Sequence, residues 1–169
     1  KVKTWKLGRL AVLCCLIVAS PYGLASDGGT TTLNITGNIV EPECEINNNQ
    51  QIVVNFGEVL TTRIDGANYE TPIVYTLKCT NLLRNTLKIN LKGNGASFNG
   101  QLFTTDVTGL GIKVYDASKA TIAPNTGVLS FTYADNNPPA LYAVPVRQTN
   151  ASLPDGAFNG SATMVFSYQ

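Results

Sequence analysis

Apolar and polar residues alternate with a period of two along most of the chain beyond about residue 30. Leu33, Ile35 and Ile39 alternate with Asn34, Thr36 and Asn38, and the same rhythm returns over residues 52–56, 73–79, 87–91, 112–115, 129–133, 142–146 and 162–168. A two-residue period puts every second side chain on one face, the mark of a half-buried β-strand. Turn-forming residues separate these runs: Asp65-Gly66, Asn94-Gly95, Asn99-Gly100, Asn125-Thr126-Gly127, Asn136-Asn137-Pro138-Pro139 and Asp155-Gly156. No stretch sustains a helical period with caps. The pattern predicts seven or more short strands in an antiparallel β-sandwich with immunoglobulin-like topology. Pro145 falls inside a strand pattern and predicts an edge position or a bulge there.

The two ends of this strand series differ from its middle. Residues 27–40 begin with a polar, Gly- and Thr-rich lead and continue as a long alternating strand. Gly37 shares the face of Leu33, Ile35 and Ile39, and a glycine on an apolar face predicts close approach of another backbone or side chain. The same pattern fits equally a first strand of the chain's own sheet. At the other end Ala162, Met164, Phe166 and Tyr168 share one face, and Gln169 follows directly. That pattern fits both a complete sandwich and one whose last strand wants a partner.

The first 25 residues read as a secretory signal. Lys1, Lys3, Lys6 and Arg9 precede an apolar run from Leu10 to Ala19, and the small residues Gly23 and Ala25 precede a cleavage point. Ten apolar residues are too few to cross a bilayer, which takes about 20. Beyond Ala25 the chain carries 11 acidic and 8 basic residues, a net charge of −3. A mildly acidic chain with no basic patch argues against nucleic-acid binding. Two of the four cysteines leave with the signal, and Cys44 and Cys79 remain. An even pair in an exported protein predicts a disulfide, with two free thiols as the alternative for a reducing compartment. The remaining 144 residues suffice for one domain with its own core.

Catalytic chemistry finds little to build on. The protein contains no histidine, which excludes a Ser-His-Asp triad, a histidine general base and His-ligated zinc. Two cysteines are too few for a Cys₄ metal site. Glu41, Glu43 and Glu45 flank Cys44 as a solvated strand edge, and Asp106 and Asp116 show no metal-loop spacing. The single tryptophan, Trp5, lies in the signal, so no tryptophan is left to form a sugar platform. Tyr69, Tyr75, Tyr115, Tyr133 and Tyr142 fall mostly at strand spacing, where core packing is their ordinary use. No enzyme, cofactor, metal or small-molecule substrate is expected.

Five segments, in order, resemble the minor subunits of chaperone–usher pili, the type 1 and P fimbrial group. Leu33-Asn34-Ile35-Thr36-Gly37-Asn38-Ile39-Val40, with Pro42 and Cys44, looks like that family's N-terminal extension and first cysteine. Ile52-Val53-Val54-Asn55-Phe56-Gly57 resembles its early strand, and Cys79 falls where its second cysteine is expected. Gly109 to Asp116 resembles a mid-domain strand, and Phe158 to Gln169 its C-terminal strand with a penultimate tyrosine. The resemblance implies an incomplete immunoglobulin-like sandwich lacking its last strand. It divides the chain into a signal (1–25), a donor-strand extension (26–40) and a pilin domain (41–169).

The same resemblance implies a structural or adaptor role in an adhesive fibre. A periplasmic chaperone would first lend a strand, and at the outer-membrane usher the extension of a neighbouring subunit would replace it. Leu33, Ile35, Gly37 and Ile39 would be donor residues. Ala162, Met164, Phe166, Tyr168 and Gln169 would form the acceptor and chaperone-contact strand. The protein would pass through the periplasm to an extracellular fimbria on the cell surface. A secreted sugar- or receptor-binding β-sandwich is the alternative reading.

Overall fold

A computed structural model of the chain describes residues 31–168. The predicted signal, the start of the extension and Gln169 lie outside the described residues. The chain divides into two units, Lys1–Asn38 and Ile39–Gln169. In the first unit, residues 31–38 belong to no strand.

The second unit is all-β, with ten strands among the described residues. They are β1 (Glu43–Ile46), β2 (Thr71–Ile73), β3 (Leu77–Thr80), β4 (Thr86–Lys92), β5 (Gly95–Ala96), β6 (Asn99–Thr104), β7 (Leu110–Asp116), β8 (Val128–Thr132), β9 (Leu141–Arg147) and β10 (Thr163–Tyr168). They form a five-stranded sheet in the order β2-β9-β7-β6-β5, a three-stranded sheet β10-β4-β8, and the pair β1-β3. Every pairing is antiparallel. Two three-residue 3₁₀ turns, Asn47–Asn49 and Thr61–Arg63, are the helical segments among the described residues.

The two larger sheets face each other across one core. Ile89 and Leu91 of β4 meet Phe103 of β6, Val114 of β7 and Leu141 and Ala143 of β9, with Tyr75 and Ile122 closing the sides. Alternation dictates this: in β4 Leu87, Ile89 and Leu91 are buried while Lys88 and Lys92 point to solvent. Five of the predicted strands keep close to their expected limits. The run 73–79 instead breaks into β2 and β3, which pair with different partners, β9 and β1. Tyr75 sits at the break, buried, and its hydroxyl donates to the Pro139 carbonyl at 2.8 Å. That long-range bond fixes the chain where it crosses between sheets.

Pro145 lies fully buried in β9, opposite Ile112 of β7. β2 pairs only with Leu141–Ala143, so at Pro145 the strand is an edge, the position a residue without an N–H tolerates. In the loop from Gly57 to Glu70, Ile64 is buried and a Cβ on Gly66 would stand 3.6 Å from Val146 of β9. The Glu70 carboxylate fastens it, accepting from the Tyr115 hydroxyl and from Lys119 Nζ at 2.6 Å.

Candidate functional site

The site is an open strand edge with an apolar cleft beside it. β10 is the outer strand of its sheet, bonded to β4 on one side with Met164 opposite Leu91 and Phe166 opposite Ile89. Among the described residues no strand pairs with its other side. Met164 and Phe166 point inward and are only half-buried, and Phe166 meets Phe131 edge-on at 6.0 Å. A long unpaired edge bearing apolar side chains is an invitation to another strand.

Residues 52–56 form the opposite lip. Alternation predicts a strand there; the residues pair with none, yet keep the strand's burial rhythm, with Ile52, Val54 and Phe56 half-buried and Val53 and Asn55 exposed. Gly57, at φ 66°, turns the chain out of this lip, and its N–H donates to Asn55 Oδ1 at 2.8 Å. Between the lips runs a cleft of about 550 Å³, floored by Leu91, Phe103, Ile112, Val114 and Ala143. It continues past Val54, Phe56 and Phe158 into a second space of about 570 Å³ that reaches Glu58 and Asp155. Phe56 and Phe158 stack at 5.9 Å where the two spaces join.

Both ends of the β10 lip are pinned. Upstream, Asp106 accepts from the Asn159 backbone N–H at 2.8 Å and from Nδ2 at 3.2 Å. These bonds hold its carboxyl below the usual aspartate range, the backbone bond foremost. Gly160 bridges Thr105, and a Cβ there would stand 3.0 Å from the Thr104 carbonyl, so the close approach needs glycine. Downstream, the Tyr168 hydroxyl donates to the Pro42 carbonyl at 3.0 Å. Two residues on from Pro42, Cys44 is disulfide-bonded to Cys79, tying β1 to β3.

The sequence-predicted residues fall as follows. Met164 lines the cleft, while Phe166 packs half-buried against the core and Phe131; Ala162 also lines the cleft but is exposed and precedes the strand. Tyr168 ends β10, about half exposed, and serves as a tether rather than as lining. Gln169 lies outside the described residues. Leu33 and Ile35 are about four-fifths exposed and Ile39 almost wholly so. A methyl group built on Gly37 would stand in open space. Sequence reasoning missed Phe103 and Phe158 as cleft residues. Phe103 follows the turn-like Asn99-Gly100, which lies inside β6, and Phe158 sits in a segment with no alternation.

An all-β, immunoglobulin-like sandwich with an apolar cleft beside its open last strand is the class of fold these elements build. The chain matches the profile of the family described as Fimbrial protein over residues 33–169, and it belongs to that family. It is similar to the uncharacterized fimbrial-like protein YfcR of Escherichia coli K12, 37% identical over 159 residues and 91% of both chains. The fimbrial adapter PapF of Escherichia coli is 29% identical, covering 95% of this chain and 98% of PapF. The solved structure of PapF, a P pilus adaptor subunit, aligns with a TM-score of 0.57 over 78% of this chain and all of PapF. The P pilus rod subunit PapA, 18% identical, shares the fold with a TM-score of 0.60 over 82% of this chain and all of PapA. The protein is thus a structural fimbrial subunit rather than an enzyme or a free sugar-binding module.

Proposed function

We propose that the subunit is built into its fibre by strand exchange: its cleft takes the N-terminal strand of one neighbour, and its own residues 33–39 fill the cleft of another. The observation that carries this reading is the pairing of two unmet features. An apolar cleft lies open along β10, and an alternating apolar segment, Leu33, Ile35 and Ile39, stands exposed outside any strand. In this reading Gly37 leaves room for the bulk of an acceptor's floor. Ile52, Val54, Phe56, Met164 and Phe166 receive the incoming side chains, and Ala162 and Tyr168 bracket them.

Magnitudes support it. Burying three aliphatic side chains contributes about 5–9 kcal/mol, at roughly 1.5–3 kcal/mol each. Each backbone hydrogen bond to the open edge adds about 0.5–1.5 kcal/mol net. The total rivals the whole stability of a small domain, about 5–15 kcal/mol. The same open edge exposes the free subunit to aggregation. Transit through the periplasm therefore calls for a chaperone that lends a temporary strand, and delivery to the surface for an outer-membrane usher where strands are exchanged. The adapter role carried by PapF suits the present subunit, whose part in adhesion is that of a link in the fibre.

The test is a pair of aspartates in the donor segment. Ile35→Asp with Ile39→Asp leaves the 41–169 domain untouched, so the exported chain is expected to reach the periplasm folded and to be missing from purified surface fibres. Normal incorporation of the double variant would defeat the proposal.

A further inference from the structure

The far end of the cleft is acidic, and so is the root of the chain's own donor segment. Where the second space opens beyond the Phe56–Phe158 stack, its lining includes the exposed carboxylates Glu58 and Asp155 and neither lysine nor arginine. Asn159 of the same rim is bonded to a further carboxylate, Asp106. The cleft along β10 is itself lined by uncharged residues alone. Residues 28–40 are also uncharged, but Glu41, Glu43 and Glu45 follow at once, and the next basic residue is Arg63.

Direction decides which end meets which charge. Every pairing in the domain is antiparallel, and a strand added to β10 in the same sense runs from the Tyr168 end toward Phe158. The residues that follow the donor strand then emerge beside Glu58 and Asp155. A copy of this chain would bring Glu41 and Glu43 to that mouth, within reach of like charges. Apolar complementarity is indifferent to the donor's origin; the charges are not. Like-charge juxtaposition is a standard means of refusing a wrong partner.

Resting on the strand-exchange reading, we propose that the cleft discriminates against the chain's own extension. Its occupant is the extension of a different subunit, one carrying lysine, arginine or no charge in the few residues after its donor strand. Glu58 and Asp155 set this preference, and the subunit is placed singly between unlike neighbours instead of polymerising with itself.

The experiment uses the chain from residue 26 onward and two labelled peptides spanning residues 29–43. One has the native sequence and the other carries Glu41→Lys and Glu43→Lys; binding is followed by fluorescence anisotropy. At low salt the lysine peptide is expected to bind about five- to tenfold tighter, the scale of a few screened charge pairs at 8–10 Å. The gap should close in about 0.5 M NaCl, where the screening length falls to a few ångströms. It should also close at low salt in the acceptor variant Glu58→Gln with Asp155→Asn. Equal binding of the two peptides at low salt, or a gap that survives in that variant, overturns the inference while leaving strand exchange intact. Failure of both peptides to bind removes the strand-exchange reading and this inference with it.

Discussion

Asp106 receives two hydrogen bonds from Asn159 and donates its own N–H to the Asn159 carbonyl at 3.0 Å. That three-bond clasp sets the segment leading into β10 against the loop after β6. Because the carboxyl is held below its ordinary value, its contribution is present when the unfolded chain's aspartate is ionised, above about pH 4, and fades as pH falls through the lower folded value. Asp106→Ala should therefore lower the urea midpoint at pH 7, and the deficit should shrink between pH 4 and pH 3. Paired unfolding curves at the three pH values check this; a deficit independent of pH would mean the carboxylate is not the active group. Nothing in the sequence pointed to this pair. The residues lie 53 apart, and a polar clasp between two loops leaves no periodic trace. Hydrophobic lips, by contrast, were legible residue by residue: Ile52, Val54, Phe56, Met164 and Phe166 all point where alternation puts them.

Among elements, the instructive one is the 52–56 segment, a strand by pattern that pairs with nothing among the described residues. Alternation records which face is buried, but hydrogen bonding needs a partner strand, and none lies beside this segment among the described residues. Run 73–79 failed for a different reason. Its period continues through Val74, yet the chain changes sheets at Tyr75, and a two-residue rhythm carries no information about which sheet a strand joins. β1 is too short and too acidic to announce itself; its place is fixed by pairing with β3 and by the disulfide, Cys44 lying opposite Cys79. That bond closes a 35-residue loop, and the chain-entropy relation gives it about 3–4 kcal/mol. Replacing both cysteines by serine should lower the unfolding free energy by that amount. Because Tyr168 bonds Pro42, two residues before Cys44, the C-terminal end of β10 should also lose hydrogen-exchange protection in that variant. Unchanged stability on reduction would show that β1 is held by its ladder alone.

At the scale of the whole molecule, a sandwich with one lip unpaired and one edge open is a fold that awaits a strand. The all-β class and its family were legible from five ordered segments, and the comparisons place the chain among fimbrial subunits. The preference written into the charges at the cleft mouth was not legible, since Glu58 and Asp155 lie 97 residues apart and come to line one space only through the fold. The central claim, that the sandwich is completed in trans, is tested most directly by urea unfolding of oxidised residues 41–169, alone and with excess strand peptide. The peptides are residues 26–40 of this chain and the extension of a partner subunit. The account predicts a marginal or aggregating domain alone and a gain of several kcal/mol with a strand peptide bound, as burial of three aliphatic side chains requires. A domain that unfolds cooperatively at high urea and ignores every peptide would contradict it, and would make the protein a self-sufficient β-sandwich.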